Sequence, residues 1–163
     1  MKKLTSLFLF FLFLQTLSAQ VNYYRGEWTE VNSTELFSCI CKITFPNETV
    51  VKGELVWCFL AADSTDNIMM DTYKGKKGKM AIEFVSGTQD MKNNDIYFNG
   101  AEKKDPQGII GLDKYTLKVS ADKMTIYGKS WSNGKNNGLF YAVKLDAVEG
   151  EKMYIAALKL IPD

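Results

Sequence analysis

The chain has 163 residues, 20 Lys plus Arg against 19 Asp plus Glu, 46% hydrophobic residues, three Cys and no His. That length implies one domain, and the missing histidine excludes imidazole general bases, Ser-His or Cys-His nucleophile pairs and His-ligated metals. A net charge of +1, with Arg25 as the single arginine, carries no electrostatic footprint for nucleic acid.

Met1-Lys2-Lys3 is a short positive start, residues 4–17 are dominated by Leu and Phe without a charge, and Ser18-Ala19 places small residues before Gln20. This is the tripartite pattern of a secretory signal peptide, with an apolar run too short for a stable span. Cleavage after Ala19 is expected. It leaves residues 20–163 as one soluble domain, secreted or periplasmic, with no transmembrane segment; an N-terminal membrane anchor is the competing reading. No Cys follows the cut, so the attachment site of a bacterial lipoprotein is missing. The leader resembles those of secreted proteins of the Bacteroidetes group.

From Val21 onward, period-two alternation recurs at nearly regular spacing and helical periodicity does not persist. Strands are predicted over 23–31, 35–45, 50–61, 67–73, 79–85, 95–99, 114–120, 124–129, 138–145 and 152–160. Turn chemistry separates them at Pro46-Asn47, Lys74-Gly75, Ser86-Gly87, Asp105-Pro106, Ala121-Asp122, Asn133-Gly134 and Glu149-Gly150. The fold class is therefore all-β: an antiparallel up-and-down meander of eight to ten strands that closes into a barrel to hide its edges.

The second and third strands specify a register. If Phe45 faces Val51, then Ile43 meets Gly53, Cys41 meets Leu55, Cys39 meets Trp57 and Phe37 meets Phe59, all apolar or small. The other face pairs Thr44 with Lys52, Lys42 with Glu54, Ile40 with Val56 and Ser38 with Cys58; a slip of one residue would mix the two sets. Cys39 and Cys41 are then inward and Cys58 outward, so three free thiols are favoured over a bridge involving Cys58 in a shifted register. Nothing nearby in sequence depresses a thiol pKa.

Farther along, 74–79 reads as a solvated basic turn, with a polyanionic surface ligand as the alternative. Met80, Ile82 and Phe84 are expected inward, with Ala81 and Glu83 outward. Residues 99–111 read as an exposed loop. Tyr115, Leu117 and Val119, then Met124 and Ile126, then Leu139, Tyr141, Val143 and Leu145 complete the apolar faces. Trp28, Trp57, Phe59, Phe84, Tyr115 and Tyr141 are the candidate ligand-binding residues of the barrel interior, and they would serve equally as the filling of a solid core. Glu30, Asp71, Glu83 and Asp113 are the remaining acid-base material, and their spacing gives no sign that two converge. Asn32-Ser33-Thr34 and Asn47-Glu48-Thr49 fit the N-glycosylation pattern, which is common by chance.

Gly26-Glu27-Trp28 on the first strand resembles the Gly-x-Trp opening of the lipocalin and avidin group of barrels. The resemblance implies that Trp28 closes one end of the barrel, with Lys144 or Lys159 in the place of the basic residue that lipocalins set over that Trp. The segment from Gly26 to Thr34 is also similar to the opening of the avidin ligand loop, but Glu30 and Thr34 stand where that family has Asn and Ser, and its later Trp-rich segments are missing. The expected function is an exported barrel binding a small apolar ligand in its interior. The alternative is a protein-binding module, an inhibitor or cell-envelope accessory with a secreted or envelope protein as partner. No catalytic residue, metal or cofactor is assigned, and an enzyme ranks third.

Overall fold

The computed structural model describes residues 19–31, 35–61, 74–132 and 135–163. Residues 1–18 of the expected leader (residues 1–19), the strand expected over 67–73, Asp71 and the Asn133-Gly134 turn lie outside the described residues.

Eight strands run as an antiparallel meander: β1 (Gln20–Glu30), β2 (Leu36–Phe45), β3 (Val50–Ala61), β4 (Met80–Asp90), β5 (Asp95–Lys104), β6 (Lys114–Val119), β7 (Thr125–Ser132) and β8 (Lys135–Lys144). The last pairs with the first, so the sheet closes into a barrel and no edge is left open. The β2–β3 register is the one that burial favours: Cys39 faces Trp57, Cys41 faces Leu55 and Phe37 faces Phe59. Lys42 Nζ lies 2.8 Å from Glu54 Oε1 on the outer face. Ser86-Gly87 is not a turn but falls inside β4, which runs on to Asp90.

The interior is one continuous apolar cluster that includes Tyr24, Phe37, Trp57, Phe59, Phe98, Tyr115 and Phe140. Small residues make room for the large ones. A Cβ on Gly138 would overlap the Trp28 indole, and one on Gly26 would overlap Ala142. Cys39 and Cys41 are buried with their sulfurs 3.4 Å apart, while Cys58 is half-buried on the outside. Burial pushes the Cys39 and Cys58 thiols up. Alkylation without denaturant is therefore expected to modify Cys58 first, and peptide mapping that finds Cys41 labelled ahead of it would contradict this orientation of β2.

Two expected faces are inverted. On β4, Ala81, Glu83 and Val85 point into the barrel, whereas Phe84 is 38% exposed on the outside. On β8, Gly138, Phe140 and Ala142 point inward, and Leu139, Tyr141 and Val143 are 41–55% exposed. The physical reason differs between them. β4 is apolar on both faces because Met80 and Ile82 are covered from outside, so alternation alone does not say which face is interior. On β8 the interior needs small residues beside Trp28 and Gly26, and the bulkier set is left outside. Tyr141→Ser is accordingly expected to change the unfolding free energy by less than about 1 kcal/mol, as an exposed substitution does. A denaturant melt showing several times that loss would return Tyr141 to the interior.

A helix stands where a strand is expected: α1 (Ala147–Leu158). Asp146 caps it, its carboxylate accepting from the backbone N–H groups of Val148 and Glu149. Glu149-Gly150 thus lies in its first turn. Gly150, Tyr154 and Ala157 are its buried positions, one stripe at helical spacing that packs on β1, β2 and β3. Two of those three are small, so the stripe carries little hydrophobic signal, and the run Met153-Tyr154-Ile155 imitates a strand. Gly150 lets the helix approach Tyr23, against whose ring a Cβ would clash. The helix closes a second cluster of Tyr23, Val56, Ile82, Tyr154, Ala157 and Ile161 on the outside of the barrel. Tyr154 donates to Glu54, and the Lys42 ammonium lies 5.3 Å over its ring. Among the described residues no helix is long and apolar enough to cross a membrane.

Candidate functional site

One end of the barrel is a cup of about 140 Å³. Its wall takes Trp28 and Glu30 from β1, Phe37 from β2 with Glu35 just before it, Trp57 from β3, Glu83 from β4, and Tyr115 from β6 with Asp113 just before it.

Glu83 is the polar centre. It is 1% exposed, and it sits next to a β-bulge between Phe84 and Val85. Its Oε2 accepts from Tyr115 Oη at 2.6 Å and from Trp57 Nε1 at 3.3 Å, while its Oε1 accepts from the backbone N–H of Asp113 at 3.1 Å. Burial pushes its pKa up to about 7, against the opposing effect of those hydrogen bonds. The Tyr115 phenol is raised well above its ordinary value, again chiefly by burial. A second chain of bonds adjoins the first. Trp28 Nε1 donates to Ser130 Oγ at 2.6 Å, and Ser130 Oγ donates to Asp113 Oδ2 at 3.1 Å. Burial raises the Asp113 carboxyl as well. The indoles, the phenol and the hydroxyl therefore have fixed partners, and their rings are locked edge-on: Trp28 to Phe37 at 5.5 Å, Trp57 to Phe140 at 6.1 Å and Tyr115 to Phe140 at 6.3 Å. Such prior ordering lowers the entropy cost of taking up a ligand.

The stretch 99–111, expected as an exposed loop, instead begins as the second half of β5 and then folds over the cup. Asp105 holds it by accepting from the backbone N–H of Ile109 at 2.9 Å and of Ile110 at 3.0 Å. Gly108 supplies the left-handed turn with φ +64°, and its carbonyl accepts from Lys76 at 3.0 Å. Ile109 enters the core and Ile110 and Gly111 line the cup.

Of the residues expected to bind a ligand, Trp28, Trp57 and Tyr115 meet at this cup. Phe59 is interior, packed against Phe37 at 5.1 Å, and Phe84 and Tyr141 are outside. Neither lysine expected over Trp28 is there: Lys144 borders the opposite mouth and Lys159 is the C-cap of α1. Ser130 takes that place. Of the carboxylates singled out in the sequence, Glu30, Glu83 and Asp113 do converge, joined by Glu35. Sequence spacing hides this because they come from four separate segments. A signal for Glu83 is present: it is the one charged residue in the otherwise apolar run Met80–Val85 that opens β4.

A larger hollow of about 330 Å³ lies at the opposite mouth, among Tyr24, Phe45, Ile96 and Val119, with Lys123, Lys144, Glu48 and Asp90 on its rim. It has no counterpart of the Glu83 hydrogen-bond array. Among the described residues no three His, Cys, Asp or Glu side chains are grouped to hold a metal ion. No family model, curated protein or solved structure matches the chain.

Proposed function

We propose that this protein is an exported binding barrel that takes a small molecule with an apolar body in the cup between Trp28, Trp57 and Glu83. The observation that carries this reading is a preformed cavity with aromatic and aliphatic walls and the buried, hydrogen-bonded carboxyl of Glu83 at its centre. That combination is the usual constitution of a small-molecule site. Its volume is close to the roughly 150 Å³ of a cavity able to hold benzene, so the ligand is small. The middle of the barrel is filled by side chains, which supports a ligand at one end rather than along the axis. A closed antiparallel barrel with Trp28 at one end is also compatible with the lipocalin and avidin group, a relationship that belongs to this proposal.

Two of the three tryptophans line the cup, so intrinsic fluorescence is the direct test. Saturable quenching or blue shift on titration with a small ligand, lost in Trp57→Ala, is expected; a protein whose emission no small molecule alters would speak for the protein-binding alternative. Export is supported by the charged start, the apolar run and Ser18-Ala19, and by β1 beginning at Gln20, directly after the expected cut. The intact mass of the product recovered outside the cytoplasm should match a chain starting at Gln20, and a mass retaining residues 1–19 would refute cleavage.

A further inference from the structure

Resting on that reading of the cup, we propose that its ligand is a small organic cation, an ammonium carried on an apolar body. Four carboxylates, Glu30, Glu35, Glu83 and Asp113, line the cavity, and no Lys or Arg is among the described residues that do. Acidity alone would not single out a ligand; the state of Glu83 does. It is almost wholly buried, yet among the described residues every donor that reaches its oxygens is neutral: an indole, a phenol and a backbone N–H. Lys103 is its register partner on β5, but the Lys103 ammonium is held 3.2 Å from Asp105 Oδ2 and on the Ile110 carbonyl. A carboxylate is thus buried at the centre of a cavity, and the described residues supply it with no countercharge. Burial accordingly holds this group partly protonated near neutral pH.

A carboxylate offers about four acceptor sites, and three donors occupy Glu83, so one place is left for a ligand N–H. The walls suit the same class. Trp28, Phe37, Trp57 and Tyr115 present π systems that attract a cation, and Ile109 and Ile110 give an alkyl or ring body an apolar surface. An anion would meet four carboxylates. A neutral apolar molecule would fill the volume while leaving the buried charge uncompensated.

The test compares two probes of equal size on the intact wild-type protein at pH 8 and constant ionic strength: n-butylammonium chloride and 1-butanol, followed by tryptophan fluorescence and calorimetry. Butylammonium should bind about tenfold or more tightly than butanol. Glu83→Gln should bring the two affinities together by weakening only the cation, and Asp113→Asn, which keeps an acceptor for Ser130, should act in the same direction if the first variant does not fold. Equal affinities in the wild type, or a preference for butanol, would overturn the cationic class and leave the cup standing as a ligand site. Absence of saturable binding by either probe would overturn both.

Discussion

Trp57→Ala is expected to lower the unfolding free energy by about 3 to 5 kcal/mol, the range for removing a buried aromatic ring from a packed core. The size of the effect follows from what surrounds the ring. Trp57 is 4% exposed, with Phe37 at 6.3 Å and Phe140 at 6.1 Å, both edge-on. The ring also borders the cup. Truncation would also remove a donor from Glu83, leaving that carboxylate with fewer partners in a buried place. Trp57→Phe separates the two contributions, since it keeps most of the packing and deletes the N–H; its cost should be about 1 to 2 kcal/mol. Denaturant melts with unchanged m-values measure both. A loss below about 2 kcal/mol for Trp57→Ala would mean that the ring faces a void on more than one side and that the barrel is hollow deeper than the cup.

Stability is expected to fall as the pH rises from about 4.5 to about 7, by about 3 kcal/mol, and Glu83 is the cause. In the unfolded chain this carboxyl ionises near its ordinary value of 4.5, whereas in the fold burial holds it near 7. Below the lower value both states are protonated and the full stability is present. Between the two values the unfolded state loses its proton first, so each increment of pH favours unfolding. Above about 7 both states are ionised and the slope vanishes. Asp113, also raised by burial, acts in the same direction from its own lower starting value. Glu54 and Asp105 act oppositely: both are lowered by their hydrogen bonds and lysine partners despite burial, and their contribution is lost only on acidification through those lowered values. Urea melts across pH 4.5 to 8 should therefore show a decline in the wild type that is much shallower in Glu83→Gln, where only the contribution of Asp113 remains. The same slope in both proteins would remove Glu83 from the interior.

The amino-acid sequence by itself determined the closed antiparallel meander and the β2–β3 register, because on those strands one face is apolar at every position and the other is not, and a slip of one residue would bury Lys42 and Glu54. It also pointed to Trp28, Trp57 and Tyr115 as interior, each at an inward step of such an alternation. Three things were decided only by tertiary structure. The identity of the inner face of β4 depends on the outer cluster of Tyr23, Val56, Tyr154, Ala157 and Ile161, which takes in Ile82 while Glu83 rather than Phe84 points into the barrel. The helix is set by how closely Gly150 and Ala157 let it approach the sheet, a packing property that small residues do not signal through hydrophobicity. The convergence of Glu30, Glu35, Glu83 and Asp113 on one cup follows from barrel closure, which brings the ends of distant strands together while leaving no trace in their spacing along the chain.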